Sequence, residues 1–129
     1  MSSPQQPVDR YAQFLGIEVT GHGGGHAVST VTVTEDHLNP HETTHGAFVF
    51  ALVGTAVAAA ANDDEHTGVA SAIHIDYLRP TRLGDTLRAE ANVGERLPKE
   101  DIFIIRVTDP ADQVIARATA RFTRRVRTR

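Results

Sequence analysis

Residues 46–61 read GAFVFALVGTAVAAAA, and every side chain in the run except that of Thr55 is apolar. A helix lying on a protein surface carries a polar stripe along its solvent side, and this segment has almost none. It therefore predicts a helix over about residues 45–61, buried around most of its circumference and rising roughly 24 Å. Ala56, Ala58, Ala59, Ala60 and Ala61 let neighbouring backbone come close, so a sheet can curl around them. Asn62, Asp63 and Asp64 then end the helix in solvent.

The covering layer is legible on both sides of this segment. In residues 69–77, Val69, Ser71, Ile73, Ile75 and Tyr77 alternate with Ala70, Ala72, His74 and Asp76. Residues 86–93 and 113–123 repeat the pattern, and a period of two means strands with one face buried. Residues 102–107, IFIIRV, are apolar on nearly both faces and suit a central strand. The connections at 80–84, 94–99 and 109–112 are as short as hairpins and meanders require. Upstream, GHGGGH at 21–26 is a turn between strand-like residues 17–20 and 26–34. No strand–GxGxxG–helix setting surrounds it, so it is not a dinucleotide loop. A short helix is expected over 9–15, capped by Asp9 and stopped by Gly16; its Tyr11, Phe14 and Leu15 face is expected to form a lid over one end of the sheet. The fold class is α+β: a curved antiparallel sheet around one helix, with residues 1–8 flexible and 9–129 a single domain. Open sheet edges and a bare sheet face make a homodimer the default expectation.

Composition narrows the chemistry. The 129-residue chain has no cysteine, which excludes disulfides, a thiol nucleophile and thiolate metal sites. No signal segment or membrane-length apolar run is present, so the chain reads as soluble and cytoplasmic, with no membrane partner. Net charge is −3, yet Arg121, Arg124, Arg125, Arg127 and Arg129 crowd the last nine residues. That cluster is short, ends a strand and has one aromatic neighbour, Phe122; it reads as a solvated edge or an anionic-ligand contact, with no nucleic-acid partner.

The densest collection of reactive side chains is residues 37–47, HLNPHETTHGA, directly ahead of the helix. His37, His41 and His45 are four apart, and 41–45 spells the H-E-x-x-H of zinc peptidases. That motif needs a helix. Pro40 breaks one, and Thr43 and Thr44 are caps rather than interior residues, so no metal is assigned. Two readings of the loop stay open. In one, the N–H groups of Gly46 and Ala47 at the helix N-terminus face a carbonyl or anionic oxygen as an oxyanion hole. In the other, His45 merely caps and packs while Asn39 braces a turn.

The string HLNPHxTxHGA followed by FxFALxGTAxAxA resembles the hotdog-fold acyl-CoA thioesterases of the phenylacetate-degradation (PaaI-like) group, whose signature is approximately HxNxxGxxHGGxxFxLxDxA. IDYLRP at 75–80 and LGD at 83–85 resemble the same family's next stretch, and the likeness runs from about residue 11 to residue 122. The resemblance implies hydrolysis of an acyl-CoA thioester to free acid and coenzyme A, without a cofactor, in a dimer or a dimer of dimers. It implies that Asn39 places the attacking water or the thioester, that His45 supports the carbonyl region, and that Gly46 and Ala47 polarise the carbonyl through their N–H groups. Ala47 stands where a second glycine is usual. Phe48, Phe50 and Thr55 would contact substrate, and Arg79 and Arg82 would attract its phosphates.

The departure that matters is Gly54, which occupies the position of the family's catalytic aspartate. A positioned general base contributes on the order of 10²–10⁴-fold. Glu42, in the preceding loop, is the candidate substitute base. The alternatives to hydrolysis are a non-hydrolytic acyl-CoA binding or regulatory protein and an inactivated thioesterase.

Overall fold

The computed structural model describes residues 8–128. In chain order its elements are α1 (Arg10–Leu15), β1 (Glu18–Gly23), β2 (His26–Thr32), a 3₁₀ turn (Glu35–His37), α2 (Gly46–Ala61), β3 (His66–Thr67), β4 (Ala70–Tyr77), β5 (Thr86–Arg96), β6 (Glu100–Thr108), β7 (Val114–Thr123) and β8 (Arg125–Val126). Six strands form one antiparallel sheet in the order β1-β2-β5-β6-β7-β4, and β3 pairs with β8. The expected main helix, turn and six strands of the sheet are all present, with the short β3–β8 pair added.

Burial of α2 sets the architecture. Leu52, Val53, Ala56 and Val57 are wholly inaccessible and meet the inner faces of the sheet at Ala27, Leu87, Ala89, Ala91, Phe103, Ile105 and Ala116. The alanines on both sides of this contact are what permit close approach. The one buried hydroxyl on the inner face of β2, Ser29, donates to the Leu52 carbonyl at 2.9 Å, so the sheet is bonded to the helix as well as packed on it. At the β1–β2 turn, Gly24 and Gly25 both have positive φ, as a two-residue primed hairpin requires. A Cβ on Gly25 would also come within 2.8 Å of Val93.

Two expectations fail on burial. Asp9 caps α1 through Ala12 N–H at 2.9 Å and Gly16 ends it with φ +81, as read from sequence. Yet Tyr11 and Phe14 are exposed, and of the helix only Ala12 is buried, so the aromatic face is no lid over this chain. Six residues make too few turns to turn that face inward while Ala12 and Leu15 hold the core side. In β4, no residue is fully buried; Ile73 and Ile75 are half-buried and the rest exposed, because the strand lies at the sheet edge, away from the centre of the helix.

The C-terminal arginines are largely engaged by the protein itself. Arg124 bonds Asp101 and donates to the Leu97 carbonyl at 2.6 Å, and Arg127 Nε donates to the Asp63 carbonyl at 2.7 Å. Arg124 thus ties down the β5–β6 turn, while Arg127 and β8 clasp the loop that follows α2. In that loop Asp63 accepts from the N–H groups of Glu65 (2.9 Å) and His66 (2.7 Å). Burial works to raise the Asp63 pKa, but these two N–H donors and the neighbouring His66 outweigh it and hold the carboxyl below its ordinary 3.8. A folded pKa below the unfolded one gives stability that is fully present above 3.8 and lost as pH falls through the folded value. Hydrogen-exchange protection of the Glu65 and His66 amides should therefore hold at neutral pH and drop only as pH falls below 3.8, and Asp63→Asn should remove the pH dependence.

Candidate active site

The approach to α2 is built on His37. Its ring stacks on Phe48 with centroids 3.7 Å apart, its Nδ1 accepts from Thr34 N–H at 2.9 Å, and its Nε2 donates to the Leu15 carbonyl at 3.0 Å. Both ring nitrogens are engaged, so His37 ligates nothing. Its carbonyl accepts the His45 N–H at 2.8 Å, fixing where the loop re-enters the helix.

Between them, Asn39 acts as a brace. Its Oδ1 accepts from His41 N–H (2.8 Å) and Thr43 N–H (3.3 Å), and its Nδ2 donates to Thr43 Oγ1 at 2.8 Å. Glu42 takes a positive φ of 63 at the tip of this turn. The H-E-x-x-H string is thus a loop, with His41 and Glu42 exposed, and cannot present two imidazoles on one helix face. Among the described residues no group of three His, Cys, Asp or Glu is placed to hold a metal ion.

His45 is the N-cap of α2, and its Nδ1 accepts the Ala47 N–H at 3.0 Å. The neutral ring then carries its hydrogen on Nε2. This corrects one expectation: the Ala47 N–H is engaged by His45 and reaches a ligand only when that ring turns aside. The Gly46 N–H, first of the helix, has no acceptor among the described residues. The bracing and capping reading of the loop is what the bonds show, since Asn39 braces and His45 caps, and one helix N-terminal donor is left without an acceptor among the described residues.

Other site expectations divide by the face they occupy. Phe48 lies under His37 in the core, and Thr55 is buried with its hydroxyl donating to the Ala51 carbonyl at 2.8 Å, as a threonine does when its partner one turn back is nearest. Both are buried within the single chain. Ala47, Phe50, Ala51, Gly54 and Ala58, spaced by three, four or seven residues, instead form an open stripe along α2. A Cβ placed on Gly54 would meet nothing within 4 Å. Arg79 shares a cavity of about 280 Å³ with Gly46, Val49, Tyr77 and Thr81, whereas Arg82 lines a different one with His41 and Glu42. Glu42 thus lines a different cavity from Gly46. His74 and Asp76 form an exposed pair at 3.0 Å.

Two residues escaped the sequence reading. Thr81 is buried and ties the loop to the β4–β5 connection through Thr44, hydroxyl to hydroxyl at 2.7 Å. Tyr77 donates to the Gly46 carbonyl at 2.8 Å. Each bridges segments more than thirty residues apart, and no local pattern announces such a pairing.

A single apolar helix wrapped by an antiparallel sheet, with a braced loop delivering a glycine to its N-terminus, is the hotdog architecture. The chain belongs to the thioesterase superfamily, whose family model matches residues 41–96. Over 108 residues it is 39% identical to the acyl-coenzyme A thioesterase PaaI of Escherichia coli (strain K12), covering 84% of this chain and 77% of that protein. The structure of the E. coli PaaI protein from the phenylacetic acid degradation operon matches with a TM-score of 0.87 at 37% identity, over 91% of this chain and 85% of that one. The TT0310 protein of Thermus thermophilus matches with a TM-score of 0.86 at 30% identity, over 91% of this chain and 98% of that one.

The cap geometry has a direct test. His45→Ala deletes the acceptor for the Ala47 N–H and should cost about 1 kcal/mol, the usual worth of an N-cap, read as a lower urea midpoint with an unchanged slope. An unchanged midpoint would mean that the ring does not cap the helix in solution.

Proposed function

We propose that this chain hydrolyses acyl-CoA thioesters at a site formed where α2 of one copy meets a second copy. The observation that carries the reading is the N-terminus of an apolar helix, with the Gly46 N–H open and an apolar stripe running away from it, in a chain of the thioesterase superfamily. The thioester carbonyl would sit at the Gly46 N–H, joined by the Ala47 N–H once His45 turns aside. Water adds to the carbonyl carbon and passes a proton to a general base, which returns it to the departing sulfur; negative charge gathers on the carbonyl oxygen, and the aligned dipoles of α2 favour that charge at this end. Collapse of the tetrahedral species breaks the carbon–sulfur bond and releases coenzyme A and the acid. Phe50 and Ala51 would flank the acyl group. Arg79, in the cavity that holds Gly46, is suited to the ligand's phosphates, with Arg82 further out.

Self-association follows from the same surface. The stripe at Ala47, Phe50, Ala51, Gly54 and Ala58 is apolar and uncovered, and β4 leaves a whole strand edge unpaired. A second copy covers both in our reading, and the outer sheet face with Ile104 exposed suits a further dimer-of-dimers contact. In our reading the enzyme works in the cytoplasm; among the described residues no helix is long and apolar enough to cross a membrane. Phe50→Glu should shift the protein to monomer in sedimentation or light scattering, since a carboxylate buried in that contact without a partner is strongly disfavoured. A dimer of unchanged affinity would refute this placement of the interface.

Gly54 favours a second reading, acyl-CoA binding without turnover, and the two separate cleanly. Glu42 remains the substitute base to be tested, although it faces another cavity. Because a Cβ on Gly54 meets nothing within 4 Å in its own chain, Gly54→Asp introduces a carboxylate without a Cβ clash inside the protomer. Thiol release from a panel of acyl-CoA substrates should be measurable in the parent and rise by on the order of 10²–10⁴-fold in Gly54→Asp. A silent parent with an active Asp variant would assign the parent to binding. An active parent silenced by Glu42→Ala would place the base in the loop.

A further inference from the structure

The peptide between Gly46 and Ala47 is held at both of its polar atoms. Its N–H goes to His45 Nδ1 at 3.0 Å, and its carbonyl accepts the Tyr77 hydroxyl at 2.8 Å. The two restraints differ in kind. His45 is an exposed side chain one residue before the helix, free to turn about its own bonds. Tyr77 is also an exposed side chain, but it stands at the end of β4 with its backbone registered against Ala116 of β7 and its ring lying against Gly46, so its hydroxyl is held closer to the sheet's frame. The carbonyl restraint is therefore the rigid one, and the N–H restraint the exchangeable one.

Packing points the same way. A Cβ built on Gly46 would lie 3.3 Å from Tyr77 Cζ, tighter than side chains ordinarily sit, and 3.4 and 3.5 Å from its Oη and Cε1, which is ordinary contact. Glycine at 46 spares the ring the few tenths of an ångström by which it would otherwise have to give. The conformation at Gly46 needs no positive φ, so close approach, not backbone freedom, explains this glycine.

We infer that Tyr77 is a positioning residue: it holds the Gly46–Ala47 peptide from its carbonyl side, so that the Ala47 N–H can pass from His45 Nδ1 to the substrate oxygen without the helix end shifting. The proposal rests on the thioesterase reading above and names the element that preorganises its second donor. A hydrogen bond accepted at an amide carbonyl also polarises that amide and strengthens its N–H as a donor. The benefit is greatest when charge develops on the substrate oxygen, so Tyr77 acts on turnover more than on ground-state binding.

Tyr77→Phe tests this, because it removes the hydroxyl and keeps the ring against Gly46. In whichever of the parent and Gly54→Asp background releases thiol, kcat should fall roughly 3- to 10-fold, the fold-change expected of one neutral hydrogen bond, with KM within about twofold. A ring with only a packing role would leave kcat unchanged, and that result overturns the proposal, as does a loss confined to KM. The ¹⁵N-resolved amide resonance of Ala47 gives a readout that needs no turnover: its proton should move upfield in Tyr77→Phe while amides in the middle of α2 stay in place. If neither background releases thiol, the thioesterase reading fails. The clamp is then judged on that resonance alone, sustained if it moves and overturned if it does not.

Discussion

A sixteen-residue helix without a single charged side chain can persist in water only if nearly every direction around it is occupied by protein. In this chain the sheet supplies that enclosure on the sides of Leu52, Val53, Ala56 and Val57, and the alanine-rich contact lets the strands bend closely around the axis. The strand order follows from the same demand. β2 and β5 run beneath the helix, while β4, reached only after the helix has crossed over, is left at the margin. The stripe from Ala47 to Ala58 is where one curved sheet fails to close the circle. Binding chemistry and self-association both gather there because it is the one apolar surface of α2 that the chain does not cover.

The loop ahead of α2 shows how polar residues of functional type can be consumed by architecture. Asn39 commits its amide to the turn, His37 commits both nitrogens to α1 and the 3₁₀ entry, and His45 commits one nitrogen to the helix. What remains for chemistry is small: one N–H at Gly46, another that can be released, and the far nitrogen of His45. A helix end is well suited to work with so little, since its first N–H groups have no partners within the helix and attract negative charge whatever side chains surround them.

Much of the fold could be read from the chain because the deciding signals are local. The apolar run at 46–61, the period of two in 113–123, the Asp9 cap and the Gly16 stop each depend on residues within a few positions of one another. Burial was less legible. Tyr11, Phe14 and the inward residues of β4 carry the pattern of a buried face, but burial depends on which strand lands at an edge, and that is fixed by the crossover of α2. Two-residue strands such as β3 and β8 are too short to show any period. Within the site, the residue types at Asn39 and His45 were recognisable, whereas the retreat of Phe48 and Thr55 into the core and the reach of Tyr77 to Gly46 are products of tertiary placement.

The order in which the enclosing strands occur along the chain bears on how the protein is made. α2 leaves the ribosome after β1 and β2 but before β5, β6 and β7, which supply about half of its cover. At ordinary elongation rates of about 5–20 residues per second, the sixty or so residues from the helix to the end of β7 take roughly 3 to 12 seconds to synthesise. For that interval the most apolar segment of the protein is exposed to the cell, leaving a nascent chain that chaperones would bind and that crowding would aggregate. The completeness with which the sheet finally hides the helix is the measure of how vulnerable it is beforehand.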